Sequence, residues 1–254
     1  MILTVGSFLA TLVLLLTLSR LTSRWLAALL GNRWYRIALW PGVVAHELSH
    51  LLGAVLTFTK VTGVSLLPKP AGSAGQVLGS VTHQASRNPL TLIMISVFPL
   101  LGGSFLLWLL TLMLMPGAPT SSPELTILPS AAAYFNSWWT FVQGFATAFN
   151  PLAWQSWLYV YLAAAIAAHL APSNRDLGYM SAGFAALSVL LVIVAWVAEL
   201  VSVPLGEVVM RWLTGSITFF LPLVSYALSL LVLVALIVGL CFSVKRLNDR
   251  KVWW

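Results

Sequence analysis

Charge is what this sequence has least of. Only 7% of its 254 residues are Asp, Glu, Lys or Arg, six of them acidic and thirteen basic. So few charges cannot solvate the surface of an ordinary soluble domain, and a disordered chain needs more polarity still. Cysteine is scarcer: Cys241 stands alone, which excludes an internal disulfide, and its place in an apolar run predicts a packed, inert thiol. There are four histidines. The net charge of +7 is small and bunched at Arg20, Arg24, Arg33 and Arg36 and in the tail KRLNDRK, residues 245–251. Basic clusters flanking apolar runs are the positive-inside pattern, so no nucleic-acid partner is expected.

What the chain does have is oil. It is 60% hydrophobic, with a mean hydropathy of +0.95. Apolar runs at 1–19, 37–58, 89–115, 151–171, 179–203 and 217–244 each approach the roughly 20 residues that a helix needs to cross hydrocarbon. The expected fold is an all-α polytopic membrane protein of about six transmembrane helices, one domain over 1–254, in a plasma or inner membrane. The runs do not alternate as barrel strands would. The first lacks a basic n-region and a small-residue cleavage site and is read as a helix of the mature protein. One conflict follows. Five crossings would separate the two basic clusters and put them on opposite faces, so either a run within 37–89 is re-entrant or broken, or the charge bias is violated. Trp138, Trp139, Trp154, Trp157, Trp253 and Trp254 are expected to anchor span ends at the interface.

Two segments interrupt the helices. Residues 60–87 hold two short runs, VTGVSLL and QVLGSVTHQ, around a Pro/Gly/Ser turn, which predicts a β-hairpin. Its edge, about 61–84 and including His83, is a candidate substrate-binding surface for an extended peptide; the alternative is an ordinary extramembrane hairpin. Residues 116–130, with Pro, Ser, Thr and Glu124, read as a solvent loop.

The informative stretch is His46-Glu47-Leu48-Ser49-His50, an H-E-x-x-H in an apolar run. On a helix the two imidazoles lie one turn apart on one face and can share a metal ion, with Glu47 beside the open position as a general base. Two imidazoles and a carboxylate suit Zn2+ best. Three of the chain's ten histidines and acidic residues fall in these five positions, which argues against coincidence; the alternatives are a polar cluster that pairs helices or a degenerate, metal-free site. A third ligand must come from His83, Glu124, His169, Asp176, Glu199, Glu207 or Asp249. Asp176 is preferred, because it opens a helix between two apolar runs. It has a competing role, since Ser173-x-x-Asp176 is also a capping box. His169 is the rival ligand. Gly102, Gly103 and Ser104 are read as a close-packing surface.

With H-E-x-x-H in an apolar helix, a hairpin after it, a small-residue helix next and Asp176-Leu177-Gly178 opening a later helix, the chain resembles the site-2 protease-like (M50) family of intramembrane zinc metalloproteases over about 37–203. The family usually has Leu-Asp-Gly where this chain has Asp-Leu-Gly, and there is no room for a PDZ domain. The resemblance implies zinc on His46, His50 and Asp176, Glu47 as the base, and a membrane-protein substrate met within the lipid bilayer. The alternatives are a zinc-dependent hydrolase of a lipid or other amphiphile, and a non-catalytic metal-binding membrane protein.

Overall fold

The computed structural model of the chain describes residues 2–67, 69–70, 76–77, 79–84, 88–121, 131–173, 176–179, 181–182 and 205–251, with single positions at 189, 193, 196 and 197. Among them, six helices and a pair of small sheets have defined bounds: α1 (Ile2–Ala38), α2 (Trp40–Leu56), β1 (Val61–Ser65), β2 (Lys69–Pro70), β3 (Gln76–Val77), β4 (Ser80–His83), α3 (Pro89–Leu114), α4 (Ala131–Ala148), α5 (Trp154–Ala167) and α6 (Leu205–Lys251). Three stretches, Ala10–Ala38, Leu90–Leu114 and Thr214–Asn248, are long and apolar enough to cross a bilayer. This is a multi-pass membrane protein.

The first helix does not stop at its arginines. Charges end a hydrophobic run without ending a helix, and no Gly or Pro follows Arg20 before Gly31, where a left-handed φ of 76° kinks α1. α2 is shorter than the apolar run that contains it. Pro41 sits in its first turn, and Thr57 and the left-handed Phe58 close it. Its 17 residues reach about 26 Å, less than the roughly 30 Å of hydrocarbon.

α4 is a helix that hydropathy alone does not reveal, because Asn136, Ser137, Gln143 and Gly144 dilute the run. Its helical periodicity is plain once its buried side chains are known: Trp138, Phe141 and Phe145 form one stripe. Trp138 is therefore a core residue whose indole N–H donates to the Ser229 carbonyl at 3.4 Å, and not an interfacial anchor. Cys241 differs from expectation in the other direction, being exposed on α6. The expected span at 179–203 lies largely outside the described residues, as does most of the 116–130 loop.

α1 and α6 run parallel. Trp25 stacks on Phe242 with ring centroids 6.2 Å apart, and one turn further along both helices the Lys245 ammonium donates to the carbonyls of Ala28 (2.9 Å) and Leu29 (3.2 Å). The two basic clusters consequently share one end of the bundle, and the conflict over their placement disappears, because an even number of crossings separates them.

The core lies between α3, α4, α5 and α6, where Leu107, Phe141, Tyr159, Val224 and Leu231 are buried. At its centre the Tyr226 hydroxyl donates to Thr111 Oγ1 at 2.6 Å, and Thr111 also bonds the Tyr159 hydroxyl at 2.9 Å. Such a network satisfies three hydroxyls that lipid could not. The expected hairpin is present: β1 pairs antiparallel with β4, from Val61 opposite His83 to Ser65 opposite Ser80, with an irregularity at Val61/Gly63, and β2 pairs with β3 further out.

Gly42 sets the spacing of α2 against α5. A Cβ there would stand 2.0 Å from the Ala165 carbonyl oxygen and 2.7 Å from His169 Nδ1. Main chain cannot rotate aside as a side chain can. Gly42→Ala is expected to cost about 3 kcal/mol, seen as a lowered thermal unfolding midpoint of the detergent-purified protein.

Candidate metal centre

The H-E-x-x-H residues form one face of α2 directed at the bundle, while Leu48, Leu52 and Val55 on the opposite face are exposed. His46 and His50 lie one turn apart with ring centroids 4.9 Å from each other and planes at 79°. Each ring is oriented through its Nδ1. That of His46 lies 2.8 Å from the His169 carbonyl, at the end of α5, and that of His50 lies 2.9 Å from the Ile95 carbonyl in α3. A carbonyl oxygen only accepts, so each Nδ1 carries the proton. In the neutral ring, Nε2 is then a bare lone pair.

Both Nε2 atoms face the same carboxylate. His50 Nε2 is 3.5 Å from Asp176 Oδ1, and His46 Nε2 is 3.9 Å from Asp176 Oδ2. The three ligand atoms lie within 4.8 Å of one another. Lone pairs that converge this closely repel unless a cation stands among them, and either a proton on an imidazole or a metal ion meets that need. The donor set fits a metal: two neutral imidazole nitrogens with fixed tautomers and one carboxylate, each held from behind, which is how metal-ligating histidines are oriented. His46, His50 and Asp176 could hold a metal ion.

Asp176 reaches the site because its loop is tied down twice. Ser19, buried on α1, donates through Oγ to the Ala167 carbonyl (2.7 Å) and accepts from the Ala171 N–H (3.0 Å). The capping box is also formed: Asp176 Oδ2 accepts from the Ser173 N–H at 2.8 Å, and the Asp176 N–H donates to Ser173 Oγ at 3.2 Å. The two roles weighed for Asp176 are compatible, because the cap occupies one oxygen and leaves the other to His50. Burial works against the charge on this carboxyl, but when His50 carries a second proton, its hydrogen bond and charge, together with the Ser173 bonds, outweigh burial and hold the group down at about 2.

Glu47 is buried, and the hairpin lies directly against it. A Cβ on Gly79 would come within 2.7 Å of Glu47 Cγ, and the Val81 main chain interacts with its carboxylate. On the other side, a Cβ on Gly102 would come within 2.4 Å of Ser49 Oγ, so the small-residue surface of α3 seats α2 one residue from His50.

The remaining candidate ligands are placed elsewhere. The His169 imidazole turns away from the triad. Its Nδ1 bonds the Ala165 carbonyl at 2.9 Å and its ring tilts against Tyr35, so its contribution to the centre is its carbonyl. His83, at the end of β4, bonds the Gln84 carbonyl at 3.2 Å and lines a cavity of about 420 Å³ that the triad also lines, without joining the ligand group. Glu124 and Glu199 lie outside the described residues, as do the side chains of Glu207 and Asp249. A second cavity, of about 480 Å³, opens on the α1 side and shares His46 and Glu47 with the first. Sequence reasoning missed the two orienting carbonyls, which carry no side-chain signal, and Ser19, whose partners are more than a hundred residues away.

No family model matches this chain, and no curated protein and no solved structure matches it.

The geometry predicts roughly one divalent metal ion per chain in the purified protein, lost in His50→Ala and Asp176→Ala and retained in His169→Ala, whose carbonyl survives the substitution. Elemental analysis of the detergent-purified variants checks this, and loss of metal in His169→Ala alone would refute the ligand set.

Proposed function

We propose that the protein is a zinc-dependent endopeptidase that hydrolyses a peptide bond in or near a transmembrane segment of another membrane protein. The observation that carries this reading is the convergence of two tautomer-fixed imidazoles and the Asp176 carboxylate beside the buried Glu47. Zinc is favoured by the donor set of two imidazoles and one carboxylate. When bound, the ion supplies a Lewis acid that polarises a carbonyl and acidifies water.

The chain's own residues do the rest. His46 and His50 would hold the ion with their free Nε2 atoms, and Asp176 would close the triad. Glu47 lines both cavities that reach the site, so its carboxylate can take a proton from the attacking water and return it to the leaving amine. β1 and β4 form a two-stranded sheet, which among the described residues leaves each strand one unpaired edge. An extended peptide added to such an edge would lie next to Glu47. A helical substrate has to unwind to be cut, and a strand edge replaces the hydrogen bonds that unwinding releases.

Membrane placement agrees with this chemistry. The basic residues at the shared end of α1 and α6 support, by the positive-inside bias, a cytoplasmic placement of that end. Arg20 binds the Pro172 carbonyl in the loop leading to Asp176, which sets the metal centre towards that same face.

Glu47→Gln tests the mechanism. It is expected to keep its metal and to lose cleavage of a tethered membrane substrate by about 10²- to 10⁴-fold, measured on purified protein with metal content and product formation read in parallel. Cleavage at the wild-type rate by the metal-loaded variant would overturn the reading.

A further inference from the structure

Past its apolar run, α1 turns back on itself. The Tyr35 hydroxyl hydrogen-bonds Ser23 Oγ although the two lie twelve residues apart, and a straight helix would hold them about 18 Å from each other, more than these side chains can bridge. The left-handed Gly31 supplies the reversal. Residues 32–38 therefore descend beside the turn that holds Ser23, one helical turn beyond the end of the apolar run at Ser19, which is headgroup depth. On its inner side this return segment is fastened, because the Tyr35 ring tilts against His169.

Its outer side is open. Trp34 and Ile37, three positions apart and so on one face, are 63% and 58% exposed, and Trp40, which starts α2, is 41% exposed. Arg33 is exposed beside them, and so is Arg246 on α6, next to the Lys245 whose ammonium reaches Ala28 and Leu29. From Met1 to His46 the sequence has four arginines and no acidic residue. Indole and aliphatic surface with guanidinium at its margin is the composition of an interfacial segment, and the headgroups that complement it are anionic.

We propose that the return segment 32–40 is a docking surface for anionic phospholipid headgroups, and that it holds the β1–β4 hairpin at the membrane surface. The link is Trp40. Its indole N–H donates to the Leu66 carbonyl, just past β1, at 2.7 Å, and the Gly79 of the hairpin packs on Val43 and Glu47 of α2. Headgroups drawn to Arg33 and Arg246 keep Trp34, Ile37 and Trp40 seated at the edge of the hydrocarbon, and Trp40 then keeps the hairpin against α2. A soluble anion would answer the arginines and leave these apolar side chains in water, so the occupant is lipid.

The test uses the full chain in nanodiscs. Native mass spectrometry of protein released from equal parts phosphatidylcholine and phosphatidylglycerol is expected to show phosphatidylglycerol retained about fivefold over phosphatidylcholine. The double variant Arg33→Gln, Arg246→Gln should lose that preference, and Arg211→Gln, at the far end of α6, should keep it. Both arginines of the double variant are exposed, so their loss spares the fold. Hydrogen–deuterium exchange in β1 and β4 should slow several-fold when phosphatidylglycerol is present. Trp40→Phe, which keeps a ring and loses the donor, should retain the lipid preference and lose that protection. Equal retention of the two lipids by wild type, a preference that survives the double variant, or an equal loss in Arg211→Gln overturns the surface. Displacement of the lipid by inorganic phosphate at constant ionic strength assigns the arginines to a soluble anion and overturns the lipid assignment. Hairpin exchange that ignores phosphatidylglycerol, or protection that persists in Trp40→Phe, overturns the link. Neither readout needs a metal or a cleavage event, so both can succeed where the endopeptidase reading fails.

Discussion

The close approach of α2 to α5 is the constraint on which this molecule turns. Only hydrogen fits between Gly42 and the Ala165 carbonyl, and that spacing, one turn before His46, lets the His46 imidazole reach the carbonyl that ends α5. The same end of α5 launches the loop that brings Asp176 to the two Nε2 atoms. A wider gap would therefore cost His46 its orientation and Asp176 its position together. Ser19 makes the arrangement three-sided, since its hydroxyl binds both limbs of the turn after α5 and fixes it to α1.

The polar groups inside this bundle divide into two kinds. Thr111, Tyr159 and Tyr226 bond hydroxyl to hydroxyl, and the Thr111 proton goes on to the Leu107 carbonyl, so the network asks nothing further. They behave as glue between helices. The His46, His50 and Asp176 group is satisfied only from behind: every outward-facing hydrogen-bonding group is used, and the inward atoms are all acceptors that point at one another. That asymmetry distinguishes a polar cluster that only holds helices together from one whose atoms could hold a cation.

How much of this could be read from the sequence depends on whether the signal is carried by side chains. Helical spacing alone put His46 and His50 on one face, scarcity made them conspicuous, and Val, Thr and Gly punctuation located the β1–β4 hairpin. Asp176 was legible as a helix opener, and its ambiguity was real, because one carboxylate caps a helix and faces a ligand set at once. Elsewhere hydropathy misled by measuring the wrong quantity. It ended α1 at its arginines although the helix continues, and it passed over α4, whose buried Trp138, Phe141 and Phe145 are separated by polar residues that face away. Packing partners such as Ser229 for Trp138 depend on long-range folding that no local pattern encodes.

The identity of the groups behind the histidines has an evolutionary consequence. Many metal sites orient an imidazole with a carboxylate side chain, and a mutation can delete that support. Here the support comes from the main chain at Ile95 and His169, which every residue type possesses. Positions 95 and 169 can therefore drift in sequence without loss of the orienting hydrogen bonds, provided the helices keep their course. Selection on the centre is displaced from the residues that touch the imidazoles to those that set helix spacing, Gly42 foremost. Relatives of this chain would be recognised by small residues at fixed offsets from H-E-x-x-H better than by the neighbours the histidines contact.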